Sequence, residues 1–122
     1  MIDPASKTQY IQRVTNAKIS LTTTNATTLY TAPSGTDFDF AVIESILVNN
    51  NNSGQTNINV GLTDSSSNVF HLYDGFVIQA DTTQELLSRD LVLQAGEILK
   101  VTAADANKIM VVASLTEYAK GD

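Results

Sequence analysis

The chain has 122 residues, 43% hydrophobic and 16% charged, with a net charge of −6 and no cysteine. That length suits one domain with its own core, and the missing cysteine excludes a disulfide framework, a thiolate metal site and a redox role. The acidity withholds the Lys/Arg field that phosphate backbones need, so nucleic acid is not an expected partner.

Residues 1–18 are read as an N-terminal arm and residues 19–122 as a β-sandwich domain. The arm holds Lys7, Arg13 and Lys18 against Asp3, so it is basic while the rest is acidic. Such an arm is expected to dock on an acidic neighbour, another copy included. The start, Met-Ile-Asp-Pro, has no apolar core, so no signal peptide is expected. No run of 18 apolar residues occurs, so no membrane partner is expected. Tyr10, Ile11 and Val14 fit one face of a short helix and equally the anchors of an extended arm. The arm is preferred because the run is short, and these three are the candidate partner contacts.

From Ile19 the pattern turns to β. Ile19, Leu21 and Thr23 alternate with Ser20, Thr22 and Thr24, and Asn25-Ala26 makes a turn. Residues 27–32 form a second run with Leu29 inward, stopped by Pro33-Ser-Gly-Thr36. Residues 38–48 are the longest apolar run. Both faces carry apolar groups, which predicts a central strand or one bulged near Glu44. The Asn/Ser/Gly stretch 49–54 predicts an exposed hairpin tip. Residues 56–63 alternate again, with Ile58, Val60 and Leu62 inward.

A turn at 64–68 leads into Val69, Phe70, Leu72 and Tyr73. Asp74-Gly75 is expected to break that strand before Phe76-Val-Ile78. Residues 83–93 read as one strand centred on Leu86 and Leu87, with helix the weaker alternative. Ala95-Gly96 is a hairpin turn, 98–102 a strand, 104–107 a turn and 109–115 the closing strand. That last run is apolar on both faces, so it is expected to lie inside a sheet or under a partner copy. Lys108 and Glu117 bracket it as gatekeepers, and the polar side chains of the last thirty residues are read as surface groups. Tyr30, Tyr73 and Tyr118 are placed at the rim. About eight strands at 8–12-residue spacing indicate an all-β sandwich or jelly roll.

Chemistry has little to stand on. The single histidine, His71, lies in a strand-like run without a positioned partner, so it reads as a surface residue rather than a base or ligand. Asp37 and Asp39 share one side of a strand entry, too few oxygens for calcium. The glycines form no phosphate-cradling pattern and the serines no GxSxG elbow. Asn25-Ala-Thr27 and Asn51-Asn-Ser53 match the glycosylation triplet and are read as turn chemistry. No catalytic residue, metal or cofactor is expected.

Two blocks carry a resemblance over about residues 19–118. Thr28-Leu-Tyr-Thr-Ala-Pro-Ser-Gly35 is one. The other is Leu91-Val-Leu-Gln-Ala-Gly-Glu-Ile-Leu-Lys-Val-Thr-Ala103 with Val112-Ala-Ser-Leu-Thr-Glu117. Together they resemble small β-sandwich virion structural proteins of tailed phages, cyanophage-like ones among them. The resemblance implies a homo-oligomer located in the virion and bound to the major capsid protein or tail proteins. The first role it implies is capsid decoration or cement, coating the outer shell and bridging capsomers. A tail-side ring, adaptor or fibre-base module is the alternative. A carbohydrate-binding module is a third reading, disfavoured because the chain has no Trp for a stacking platform.

Overall fold

The structure, a computed structural model, describes residues 10–35 and 38–120. The arm's residues 1–9, Lys7 among them, and Asp37 of the carboxylate pair lie outside the described residues. Nine strands form among the described residues: β1 Tyr10–Leu21, β2 Thr27–Thr31, β3 Phe40–Asn50, β4 Thr56–Thr63, β5 Val69–Ile78, β6 Thr82–Glu85, β7 Leu91–Gln94, β8 Ile98–Ala103 and β9 Ile109–Lys120. They make two antiparallel sheets. Sheet A has the order β1-β9-β3-β6, with β7 also on β3, and sheet B the order β2-β8-β4-β5.

Strands β6 and β7 pair with opposite ends of the same edge of β3. Leu47 faces Glu85 in one ladder, and Ile43 faces Leu91 in the other. Counted as one interrupted edge strand, they leave eight strands in two four-stranded sheets. Only β4 and β5 are both consecutive and paired, and every other connection crosses to the opposite sheet or skips a neighbour. This is jelly-roll connectivity, in which paired strands are far apart in sequence.

Inward positions of both sheets supply the core. Ile43, Ile46, Val48, Leu93, Ile109, Val111 and Leu115 come from sheet A, and Ile58, Val60, Ile78, Leu99 and Val101 from sheet B. Each such side chain contributes roughly 1.5–3 kcal/mol on burial. The bulge expected near Glu44 is present: β3 shifts register against β9 between Ile43 and Ser45. One extra residue reverses the phase of alternation, so Ala41 and Ile43 point inward before it and Ile46 and Val48 after it.

That bulge also explains why residues 83–93 are not one strand. The edge chain leaves β3 after Leu86, whose N–H still reaches the Ile46 carbonyl at 2.9 Å, and rejoins at Leu91. Glu85 fills the gap. Its carboxylate accepts from the Ile46 N–H at 2.8 Å and from the Ser45 hydroxyl. Partial burial pushes the Glu85 carboxyl upward, but these bonds and those from the Leu86 and Leu87 N–H groups outweigh it and hold it below its usual range.

Three further readings need correction. Asp74-Gly75 does not break a strand, because β5 runs through it with Gly75 at φ +71° and a register shift on β4. The stretch 49–54 is not wholly an exposed tip. Asn49 and Asn50 belong to β3, and Asn50 is fully buried. Its amide nitrogen donates to the carbonyls of Gly54 at 2.9 Å and Ile78 at 3.1 Å, and its Oδ1 accepts from the Asn52 N–H at 3.0 Å. The closing strand runs on to Lys120 rather than ending at Leu115, and its expected place inside a sheet is borne out, since β1 and β3 cover both its edges. The division expected after residue 18 falls within β1, which pairs with β9 along all twelve of its residues.

Candidate interaction surface

Glu117 is the first polar residue that β9 turns inward. It continues the stripe Ile109, Val111, Ala113, Leu115 and is 6% exposed, so it is not a surface gatekeeper. Its cross-strand partners are Arg13 on β1 and Ala41 on β3. The Arg13 guanidinium donates to Glu117 Oε1 through Nε at 2.7 Å and through Nη2, and stacks 4.3 Å from the centroid of Phe38. The Tyr30 hydroxyl donates to Glu117 Oε2 at 2.5 Å. Burial, and then the bond to Glu117, push the Tyr30 phenol well above its ordinary range. One carboxylate thus ties the edge strand of sheet A to β2, the edge strand of sheet B. This cluster closes one end of the sandwich. It offers no nucleophile, because each of its polar groups holds another.

On the outside of sheet A, register places Val14, Thr116, Val42 and Val92 in one row across β1, β9, β3 and β7. Val14 is 76% exposed and Val92 53%, while Val42 is half-buried. Thr116 lies between them, buried, its hydroxyl donating to Glu44 at 3.2 Å. The adjacent row carries Phe40 and Tyr118, whose rings stack at 5.1 Å and 8°. Leu47 and Met110 project from the same face nearer its other end. Among the described residues, four of the seven exposed large apolar side chains, Val14, Leu47, Val92 and Met110, therefore share one sheet face. The other three, Val69, Phe70 and Val77, lie on the edge strand β5. Clustering of this kind marks an interaction face rather than scattered surface apolar groups.

The predicted contacts Tyr10, Ile11 and Val14 are all in β1, extended rather than helical. Consecutive strand residues alternate in face. Val14 shares the outer face, while Ile11 pairs with Ala119 and Tyr10 with Lys120 along the ladder. Sequence reasoning missed Val42 and Val92 as neighbours of Val14, because only strand order brings them together. It also missed the Arg13–Glu117–Tyr30 cluster, although the odd-numbered inward stripe of β9 already pointed Glu117 at the core.

His71 is exposed on β5, and Asp39 is exposed before β3. Among the described residues no group of three or more His, Cys, Asp or Glu could hold a metal ion, and no helix is long and apolar enough to cross a membrane.

No protein-family model matches the chain, and neither does any curated protein sequence. Solved structures do match. One, of Bacillus endospore appendages described as disulfide-linked pili, aligns at a TM-score of 0.57 with 6% identity, over 100% of this chain and 97% of that one. The VP2 protein of infectious bursal disease virus, in derived T=1 particles, aligns at 0.53 with 12% identity. That alignment covers 99% of this chain and 36% of VP2, so the present chain spans about a third of the viral protein. The capsid structure of Helicobacter pylori bacteriophage KHP30 aligns at 0.49 with 15% identity, over 95% and 99% of the two chains. At these identities the likeness to the pilus subunit and to VP2 establishes the fold alone.

Proposed function

We propose that this chain is a virion structural protein without enzymatic activity, a decoration or cement protein of a phage capsid. It binds the outer shell and bridges capsomers. The carrying observation is the apolar row of exposed Val14 and Val92 with half-buried Val42 on the outer face of sheet A, laid on a jelly roll whose fold neighbours include the VP2 protein of viral T=1 particles. In this reading sheet A is the docking face, with Val14, Tyr10 and Ile11 on the strand nearest the neighbour. The residues before β1 act as the arm that reaches it, and copies of the chain meet one another on the shell. The pilus likeness supports an assembling subunit as well. Disulfide linkage cannot be its means here, because the chain has no cysteine.

Copy number tests the proposal. Quantitative gel densitometry of purified particles is expected to give hundreds of copies per particle. Copies in multiples of three, six or twelve indicate the tail-side ring, adaptor or fibre-base alternative.

A further inference from the structure

On the outer face of sheet B, the register sets Thr28, Lys100, Gly61 and His71 in one row across all four strands. The two basic side chains flank a residue with no side chain. The result is a cavity of about 190 Å³ floored by Gly61 and walled by Lys100, His71, Asn59, Thr63 and Thr102. No carboxylate lines it. Lys100 forms no ion pair among the described residues, and the Asn59 Oδ1 is engaged by the Gly75 N–H, which leaves its amide NH₂ as the group able to donate. On a chain of net charge −6, a depression walled by a lysine, a histidine, an amide and hydroxyls, with no carboxylate, is complementary to an anion.

Gly61 lies at a register shift of β4 on β5, between Val60 and Gly61. Its φ is not positive, and a Cβ added to it would lie 3.4 Å from the Phe70 carbonyl oxygen and 3.8 Å from Val69, both ordinary contacts. Strand-interior glycine marks a bulge or a place where a ligand or another backbone approaches closely, and here it leaves the floor of the depression open. The cavity has the scale of one small ring rather than a chain, being smaller than pockets for drug-sized ligands. Three neutral hydrogen-bonding groups, Asn59, Thr63 and Thr102, are more than a lone carboxylate needs, and Val69 and Ala26 add apolar wall for C–H groups.

We infer that this cavity binds a carboxylated monosaccharide unit, with Lys100 and His71 on the carboxylate and Asn59, Thr63 and Thr102 on the ring hydroxyls. The site lies on the sheet opposite the proposed docking face and does not depend on it. NMR titration of the ¹⁵N-labelled full chain with glucuronate tests it, with glucose, acetate and a glutamate-containing tripeptide as parallel arms. Glucuronate is expected to shift the amides of Gly61, His71, Lys100 and Thr102. Glucose and acetate are expected to bind at least about tenfold more weakly, a difference of about 1.4 kcal/mol. Lys100→Gln and Gly61→Ala are each expected to lose about tenfold in glucuronate affinity with the dispersed spectrum intact, whereas Lys108→Gln leaves binding unchanged. No shifts with glucuronate, equal binding of glucose, or tighter binding of the glutamate peptide overturns the inference. Undiminished binding by folded Lys100→Gln also overturns it.

Discussion

Glu117 carries more structural consequence than any other single side chain, because it is a buried carboxylate held by groups from two different strands. Removing the Tyr30 hydroxyl leaves one of its oxygens short of a donor. Tyr30→Phe is therefore expected to cost about 1–3 kcal/mol at neutral pH, read from chemical denaturation. The pH dependence has a fixed sign. The folded-state phenol is raised above its unfolded value of about 10, so its contribution is complete below that value. It is lost as pH rises further, because the unfolded phenol ionises while the folded one stays protonated. The stability gap between wild type and Tyr30→Phe should thus narrow above about pH 10, and a gap independent of pH contradicts the assignment. Arg13 is expected to matter less than its bonds suggest, since its side chain is 58% exposed and solvent screens it. The inward positions of Ile58 and Val60 were legible from the alternation of their strand. The Glu117 cluster was not, because its members are 17 and 87 residues apart along the chain from Tyr30, and only the meeting of β1, β9 and β2 joins them.

Among elements, β9 is the most constrained, paired on both edges and packed on its inner face. Val111 is fully buried there, so Val111→Asp should cost several kcal/mol and abolish the folded state, checked by thermal melting. A native melting temperature contradicts the interior position of β9. Strand β1 makes the truncation rule sharp. Removing residues 1–16 should lower the melting temperature markedly. The deletion strips Arg13 from Glu117 and exposes the β9 edge from Ser114 to Lys120. At the β3–β4 connection, a short tag inserted between Ser53 and Gly54, both exposed, should be tolerated. Asn50→Ala, by contrast, should cost about 1–3 kcal/mol for the buried Ile78 carbonyl left without this donor. These elements show what pattern can and cannot say. Alternation located most strands and the bulge at Glu44. It could not show that 83–93 splits, since the split follows from β3's bulge across the sheet. It could not show that Asn50 is buried either, because asparagine signals a turn and its partner at 78 lies outside any local window.

At the scale of the whole molecule, the two sheets present two different outer faces. The outer face of sheet A gathers Val14, Leu47, Val92 and Met110, while that of sheet B gathers Lys100, His71, Asn59 and Thr102 around Gly61. An apolar sheet face is costly to leave in water, and capture by a large partner surface removes it. A polar depression is served by water or by a small ligand. The two-sheet, all-β architecture was legible from strand spacing and turn residues. The pairing order was not, because jelly-roll neighbours such as β1 and β9 lie at opposite ends of the chain. The proposed role rests on sheet A, and a side-chain-resolution reconstruction of the intact particle tests it most directly. The account predicts the jelly roll on the outside of the shell with Val14, Val42 and Val92 in contact with a neighbouring virion protein. A particle in which that row faces open solvent, or from which the chain is absent, contradicts it.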